Sequence, residues 1–304
     1  MKNLIFKNHN VLPFQNKAKN KRRFPQSLKS NTMKTLQKHI LIYDNDCPMC
    51  NIYSKGFIKS GMLDENGREA FSEISSETKS KIDFHRSKNE IALLDTKNNK
   101  VIYGLESLLT IIGNSFPTLE KIARIKPFHW FFQRLYKFVS YNRKQIIPSA
   151  KDLTEDNCVP DFNLKYRVFY LGFVLMFSAY VLGFYNQRLF PDFKNNFGLE
   201  FFICCMQIVW QSTFMGIYLK DRIWDYLGNV MTVSLIGTLL LIPALLFDFN
   251  QIFYFVYFGI VVFIMFLEHL RRCRILKFGI LPTISWMIFR ITFGTVLLYI
   301  VSNN

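Results

Sequence analysis

From residue 168 onward the chain is built of long apolar runs, and this constrains its folding more than any other feature. Five runs, 168–185, 197–219, 226–247, 249–267 and 280–302, are rich in Phe, Leu, Ile, Val and Tyr and are separated by short charged punctuation. Each approaches the roughly 20 residues an α-helix needs to cross about 30 Å of hydrocarbon, where every backbone polar group must be satisfied within the segment. A soluble core of a 304-residue chain could not absorb them, so a purely soluble protein is excluded. The first run is the shortest, so an all-α bundle of five spans, or of four, is expected over residues 167–304.

Charge is unevenly placed too. Lys and Arg number 38 against 22 Asp and Glu, a net +16. Residues 1–32 hold eight bases (Lys2, Lys7, Lys17, Lys19, Lys21, Arg22, Arg23, Lys29) and no acid. Their apolar cluster, Leu4-Ile5-Phe6, is too short for a secretory h-region, so residues 1–37 read as a basic disordered arm; Met33 is an alternative start. The remaining excess flanks the apolar runs: Arg143, Lys144, Lys165 and Arg167, then Lys220 and Arg222, then Arg271, Arg272, Arg274 and Lys277. The opposite loops hold only Arg188 and Lys194. Nucleic acid is therefore not the expected partner. The lipid bilayer is, and the basic loops point to a multi-pass protein of a bacterial inner membrane with the N-terminal domain cytoplasmic and Asn304 outside.

Residues 38–147 read as a small α/β domain, joined to the bundle by a polar linker over 148–166. A short strand at 39–43 ends in the turn-prone Asp44-Asn45-Asp46, and a helix follows from Pro48 to about Ser60. A second strand is expected at 70–74, a polar helix at 75–81, and a hairpin from 91–94 and 101–103. Helices then start at Leu105 and after Pro127, the latter with Phe128, Phe131, Phe132, Leu135, Tyr136 and Val139 on one apolar face. Strand, helix, strand, helix, hairpin, helix is the order of a thioredoxin-like fold.

The one compact chemical motif is Cys47-Pro48-Met49-Cys50. Pro favours the first helical position, which puts Cys47 at the N-cap and Cys50 one turn on. Free N–H groups and the helix dipole there stabilise a thiolate, and such placement lowers a cysteine pKa from about 8.5 into the range of roughly 3.5 to 7.5. Cys47 is thus the expected nucleophile and Cys50 the thiol that resolves a mixed disulfide. Asp44 and Asp46 oppose the thiolate by like-charge repulsion, and Asp44 is in a position to take the Cys50 proton through a water.

Tyr43-Asp44-Asn45-Asp46-Cys47-Pro48-Met49-Cys50 resembles the signature of the DCC family of thiol-disulfide oxidoreductases, named for an Asp-x-x-Cys-x-x-Cys pattern after the first strand. Gly104 and the run Tyr136-Lys137-Phe138-Val139-Ser140-Tyr141-Asn142-Arg143 are similar to later landmarks of that family. The resemblance spans about residues 38–147 and implies a thioredoxin-like fold and dithiol chemistry with a thiol or disulfide partner protein. Asn45 stands where the family usually has Gly, a mild change if the position needs left-handed backbone angles. No Pro lies between Phe84 and Ile91, where thioredoxins carry the cis-Pro that helps dock a peptide.

Other readings of the same residues stay open. The Cys pair could be half a zinc site, completed from Cys158, His39, His85 and His129 at irregular spacings, or a purely structural dithiol; no metal is the expectation. Cys158 reads as an inert linker thiol. Cys204 and Cys205 are adjacent within a span, a poor geometry for a disulfide, and read as small buried residues. His269 is the one histidine of the membrane half, too few for a bis-histidine haem or di-iron centre, so no cofactor is expected. Arg290 falls mid-span and should face the bundle, with Gln207 as the expected contact, Gln211 on the same face and Glu200 a weaker candidate. Such a group marks either a structural contact or an intramembrane polar site for a ligand or lipid headgroup.

Overall fold

The computed structural model describes residues 33–149, Cys158, 160–191 and 197–303. The basic arm over 1–32, most of the linker and Lys194 lie outside the described residues.

Ten elements build the N-terminal part: β1 (His39–Tyr43), α1 (Pro48–Lys59), β2 (Arg68–Ala70), α2 (Ser76–Lys81), α3 (Phe84–Asn89), β3 (Ala92–Asp95), β4 (Lys100–Tyr103), α4 (Leu105–Ser115), α5 (Pro117–Ala123) and α6 (Lys126–Ile146). The sheet has the order β2-β1-β3-β4. β1 runs parallel to β2 and antiparallel to β3, and β3 and β4 form the hairpin. Alternation along β1 feeds two cores. Leu41 packs with Leu63, Leu93 and Ile111 on one side of the sheet, while Ile42 packs with Phe71, Ala92 and Cys158 on the other. This is the thioredoxin-like arrangement.

Several local expectations are corrected. The second strand is Arg68–Ala70, and Phe71–Glu73 is a 3₁₀ turn. Phe71 and Ile74, three residues apart, suit that turn, which swings Phe71 into the core. Two short helices are additional: α3 is capped by Asp83, which accepts from the Arg86 N–H, and α5 starts on Pro117. On α6, Phe128, Phe131 and Leu135 remain exposed rather than packed in the domain. One turn on, Phe138 packs on Phe169, Tyr170 and Phe173 of the first bundle helix. Asn45 is not among the described residues with positive φ, so its backbone makes no demand for glycine.

The bundle consists of α7 (Leu164–Leu189), α8 (Phe197–Leu219), α9 (Ile223–Leu245), α10 (Gln251–Ile275) and α11 (Leu281–Ser302). Four stretches are long and apolar enough to cross a membrane: Leu164–Leu189, Phe197–Leu245, Gln251–Ile275 and Leu281–Val301. The second is 49 residues long and doubles back on itself. A 3₁₀ turn over Lys220–Arg222, with Lys220 at φ 45°, joins its halves. Gln207 Nε2 donates to Ser234 and the Tyr226 hydroxyl to Gln211, pairs that bracket the turn almost symmetrically. α8 and α9 are therefore antiparallel neighbours.

α6 joins the two parts of the chain. Gln145, in its last turn, donates to Asp225 and accepts from Asn229 Nδ2, while its carbonyl accepts from Thr232 and Arg272. Arg272 also donates to the Ile146 carbonyl. A cation thus caps the carbonyl end of α6. Gly228 makes this approach feasible, because a Cβ there would stand 2.8 Å from Gln145 Oε1 and 2.7 Å from an Arg167 nitrogen.

Candidate active site

The turn after β1 and the first turn of α1 place the dithiol. Cys47 is the N-cap in extended conformation and Pro48 occupies the first helical position. Cys47 is 0 % and Cys50 6 % exposed. Tyr43 braces this corner: its ring lies under the Arg68 guanidinium at 4.3 Å and its hydroxyl accepts from Arg68, which also donates to Asn51 and Ser54 of α1.

Asp44 is fully engaged. One carboxylate oxygen accepts from the Asp46 N–H at 3.0 Å, and the other takes Arg143 Nε at 3.3 Å and Lys144 Nζ at 3.4 Å. Asp46 therefore enters the site through its backbone. Arg143 is itself buried, at 5 % exposure, and also donates to the carbonyls of Lys88 and Cys158. The sequence reading of Arg143 as a loop charge is corrected here: it reaches into the site across 99 residues. Cys158 is corrected likewise, because its sulfur lies 3.3 Å from the Arg143 guanidinium and packs in the domain core. A resemblance motif ending on Arg143 was the one signal in the sequence for the first, and nothing local marked the second.

These groups polarise the thiol pair. The Cys50 thiol donates to Cys47 and, with the Cys50 backbone N–H and the Arg143 charge, lowers Cys47 to about 6 against burial and the Asp44 charge. Holding that hydrogen bond, together with burial, pushes Cys50 far up. Burial pushes Cys158 up to about 12, although Arg143 counteracts it. The directions favour the thiolate form at Cys47 and the protonated form at Cys50 and Cys158.

A cavity of about 190 Å³ opens on Cys50, lined also by Met49, Tyr53, Tyr136, Arg143 and Cys158. At its edge β3 begins, where a peptide-docking strand would need free backbone groups. Both groups of Ile91 are taken: its N–H donates to the Tyr136 hydroxyl, and its carbonyl accepts from the Gly104 N–H and the Ser107 hydroxyl. Gly104 sits at φ +68°, with Tyr136 and Glu90 where a Cβ would project.

Among the described residues one cluster could hold a metal: Asp44, Cys47 and Cys50, whose ligand atoms lie within 4.8 Å of one another. It falls short of the four donors of a structural zinc site, and two cations already occupy the Asp44 carboxylate. In the bundle, Arg290 donates to Gln207 at 3.2 Å, and Gln211 is buried beside Tyr226 and Ser285. Glu200 pairs with Asn186 at another level. Cys204 and Cys205 are free thiols.

No curated protein and no solved structure matches the chain. Residues 41–148, however, match the family model described as DCC1-like thiol-disulfide oxidoreductase. With its thioredoxin-like sheet and its Asp44-Cys47-Cys50 cluster, the N-terminal part of this chain is similar to DCC1-like thiol-disulfide oxidoreductase domains, and it stands ahead of a set of apolar helices.

Proposed function

We propose that the protein is a membrane-anchored dithiol-disulfide oxidoreductase working through Cys47 and Cys50. The observation that carries this reading is the division of the pair into a thiolate lowered to about 6 and a thiol held as its hydrogen-bond donor. In the reducing direction, the Cys47 thiolate attacks one sulfur of a partner disulfide, whose S–S bond breaks and releases a thiolate. A Cys47-partner disulfide results. Cys50 then loses its proton and attacks Cys47, releasing the second partner thiolate and leaving the Cys47-Cys50 disulfide. Two electrons pass to the partner. Asp44 is the carboxylate within reach of both sulfurs to relay the Cys50 proton, and its pairing with Arg143 also holds that guanidinium beside the thiols.

The partner is a protein thiol or disulfide near the membrane. With Ile91 occupied on both sides, docking would use side chains and the cavity at Cys50 rather than strand addition. The basic turn Lys220–Arg222 and the basic end of α10 with the residues after it, 271–277, lie at the domain end of the bundle, where Arg222 donates to the Leu276 carbonyl. They support a domain on the cytoplasmic side of a bacterial inner membrane, where a reducing role fits.

Alkylation with a mass tag across a series of redox buffers tests the reading. A Cys47-Cys50 bridge should form at a defined potential, and Cys50→Ser should accumulate mixed disulfides on Cys47. A dithiol that never bridges and never traps a partner would make the domain a docking or sensing module, a reading favoured by the complete burial of Cys47.

A further inference from the structure

Among the described residues of the bundle, four buried N–H donors lack a partner: Nε of Arg167, near the domain end of α7, and, on α8 and α11, Nε2 of Gln211, the indole Nε1 of Trp286 and Nε of Arg290. The last three belong to one connected group of side chains. The Arg290 guanidinium lies over the Trp286 ring at 5.1 Å, and Trp286 stacks on His269 at 5.4 Å. His269 and Gln211 both meet the Tyr226 hydroxyl, and Gln211 Oε1 also accepts from Ser285, the neighbour of Trp286. Gln211 is 0 % and Trp286 1 % exposed, so neither N–H reaches bulk water.

The group's chemistry is one-sided. Arg290 carries a full charge at the middle of α11, and its protein partner is the neutral Gln207 carbonyl. No carboxylate pairs with it among the described residues, whereas Arg143, Arg167, Arg188, Arg271 and Arg272 each have one. A guanidinium, an indole N–H and an amide N–H can only donate, so what completes them is an acceptor, and the uncompensated charge asks for a negative one. The location suits a ligand arriving through the membrane: α11 packs on α8 and α10, and its other face, with Ile284, Ile288 and Ile291, is exposed.

We propose that the bundle binds an oxyanion at Arg290, Trp286 and Gln211, either the headgroup of an acidic lipid or a free phosphate-like anion. Arg290 supplies the charge and a forked pair of donors, Trp286 and Gln211 supply neutral donors, and Gln207 orients the guanidinium.

The test uses the full chain in detergent and in nanodiscs. Thermal unfolding and tryptophan emission are followed against inorganic phosphate in one arm. In the other, nanodiscs of phosphatidylglycerol are compared with nanodiscs of phosphatidylcholine. A saturable rise in Tm in the phosphate arm assigns a free anion, and a rise confined to phosphatidylglycerol assigns a lipid headgroup; both support the site. Arg290→Gln should weaken the apparent affinity by about tenfold or more, as expected for a lost charged hydrogen bond. Trp286→Phe keeps an aromatic ring for stacking while removing the N–H with part of the indole, so it should fold with a lower basal Tm and still weaken binding. An absence of response in both arms, or an undiminished response in both variants, overturns the proposal.

Discussion

Burying a guanidinium next to two thiols is costly unless its donors are met, and Arg143 meets them with Asp44, two carbonyls and the Cys158 sulfur. Removing it leaves Asp44 buried, against one remaining cation. Arg143→Ala should therefore destabilise the domain by about 3 to 5 kcal/mol in denaturant titrations, and it should raise the pH at which Cys47 becomes alkylatable. The depressed Cys47 value has its own consequence. Between about 6 and its ordinary 9.0 the folded dithiol carries a thiolate while the unfolded chain keeps the proton. Unfolding then takes up a proton, so stability of the dithiol form rises with pH through this window and is lost as pH falls through 6. Above 9 the raised Cys50 opposes it, because the unfolded chain ionises where the fold does not. The Cys47-Cys50 disulfide has neither group. Denaturation midpoints of the two redox forms from pH 5 to 9 should separate with pH, and parallel curves would contradict the assignment of Cys47 as the thiolate. Asp44, Cys47 and Cys50 were legible in sequence because they fall within seven consecutive residues; Arg143 and Cys158 reach the site through tertiary packing, which no local pattern encodes.

At the scale of elements, the last two turns of α6 serve two sites. Ser140 donates to the Asn89 carbonyl and Arg143 and Lys144 hold Asp44, while Gln145 is bound into α9 and α10. Gln145→Leu would keep the helix and strip the buried Asn229 amide of an acceptor, at about 1 to 3 kcal/mol. Hydrogen exchange should accelerate at residues 140–146, and Cys47 alkylation should change with it, although Gln145 does not touch the thiols. An unchanged thiol would mean that the two sites are not coupled through the helix. The element boundaries show what periodicity can and cannot carry. β1, α1 and the hairpin follow from alternation, a Pro at the helix start and a polar turn. β2 lies earlier than the pattern indicates, because Ala70, Phe71 and Ile74 look strand-like in sequence whereas Phe71 turns into the core under the sheet. The face of α6 was legible as apolar, but only packing on α7 shows that it continues toward the bundle surface through Phe138.

For the whole molecule, the decisive quantity is how often the chain crosses. Because Lys220–Arg222 is itself a helical turn, 197–245 is one unbroken 49-residue stretch, at about 1.5 Å per residue far longer than a bilayer is thick. Side-chain pairs resolve it. Tyr170 meets Thr232 and Ser178 meets Thr238, so α7 and α9 run the same way. Tyr226 meets His269 and Tyr257 meets the Leu240 carbonyl, so α10 runs back. Trp210 and Gln207 of α8 meet Ser285 and Arg290, so α11 opposes α8. Five alternating helices therefore leave the end of α11 remote from Gln145 and the dithiol. A reporter fused after Asn304 should accordingly signal from the side opposite to one inserted at the exposed hairpin turn near Asn98. Signals from the same side would mean that α8 and α9 do not cross separately, and the basic turn at Lys220–Arg222, which marks the domain's side in the present reading, would then lie within the membrane, where its charges could not stay unpaired.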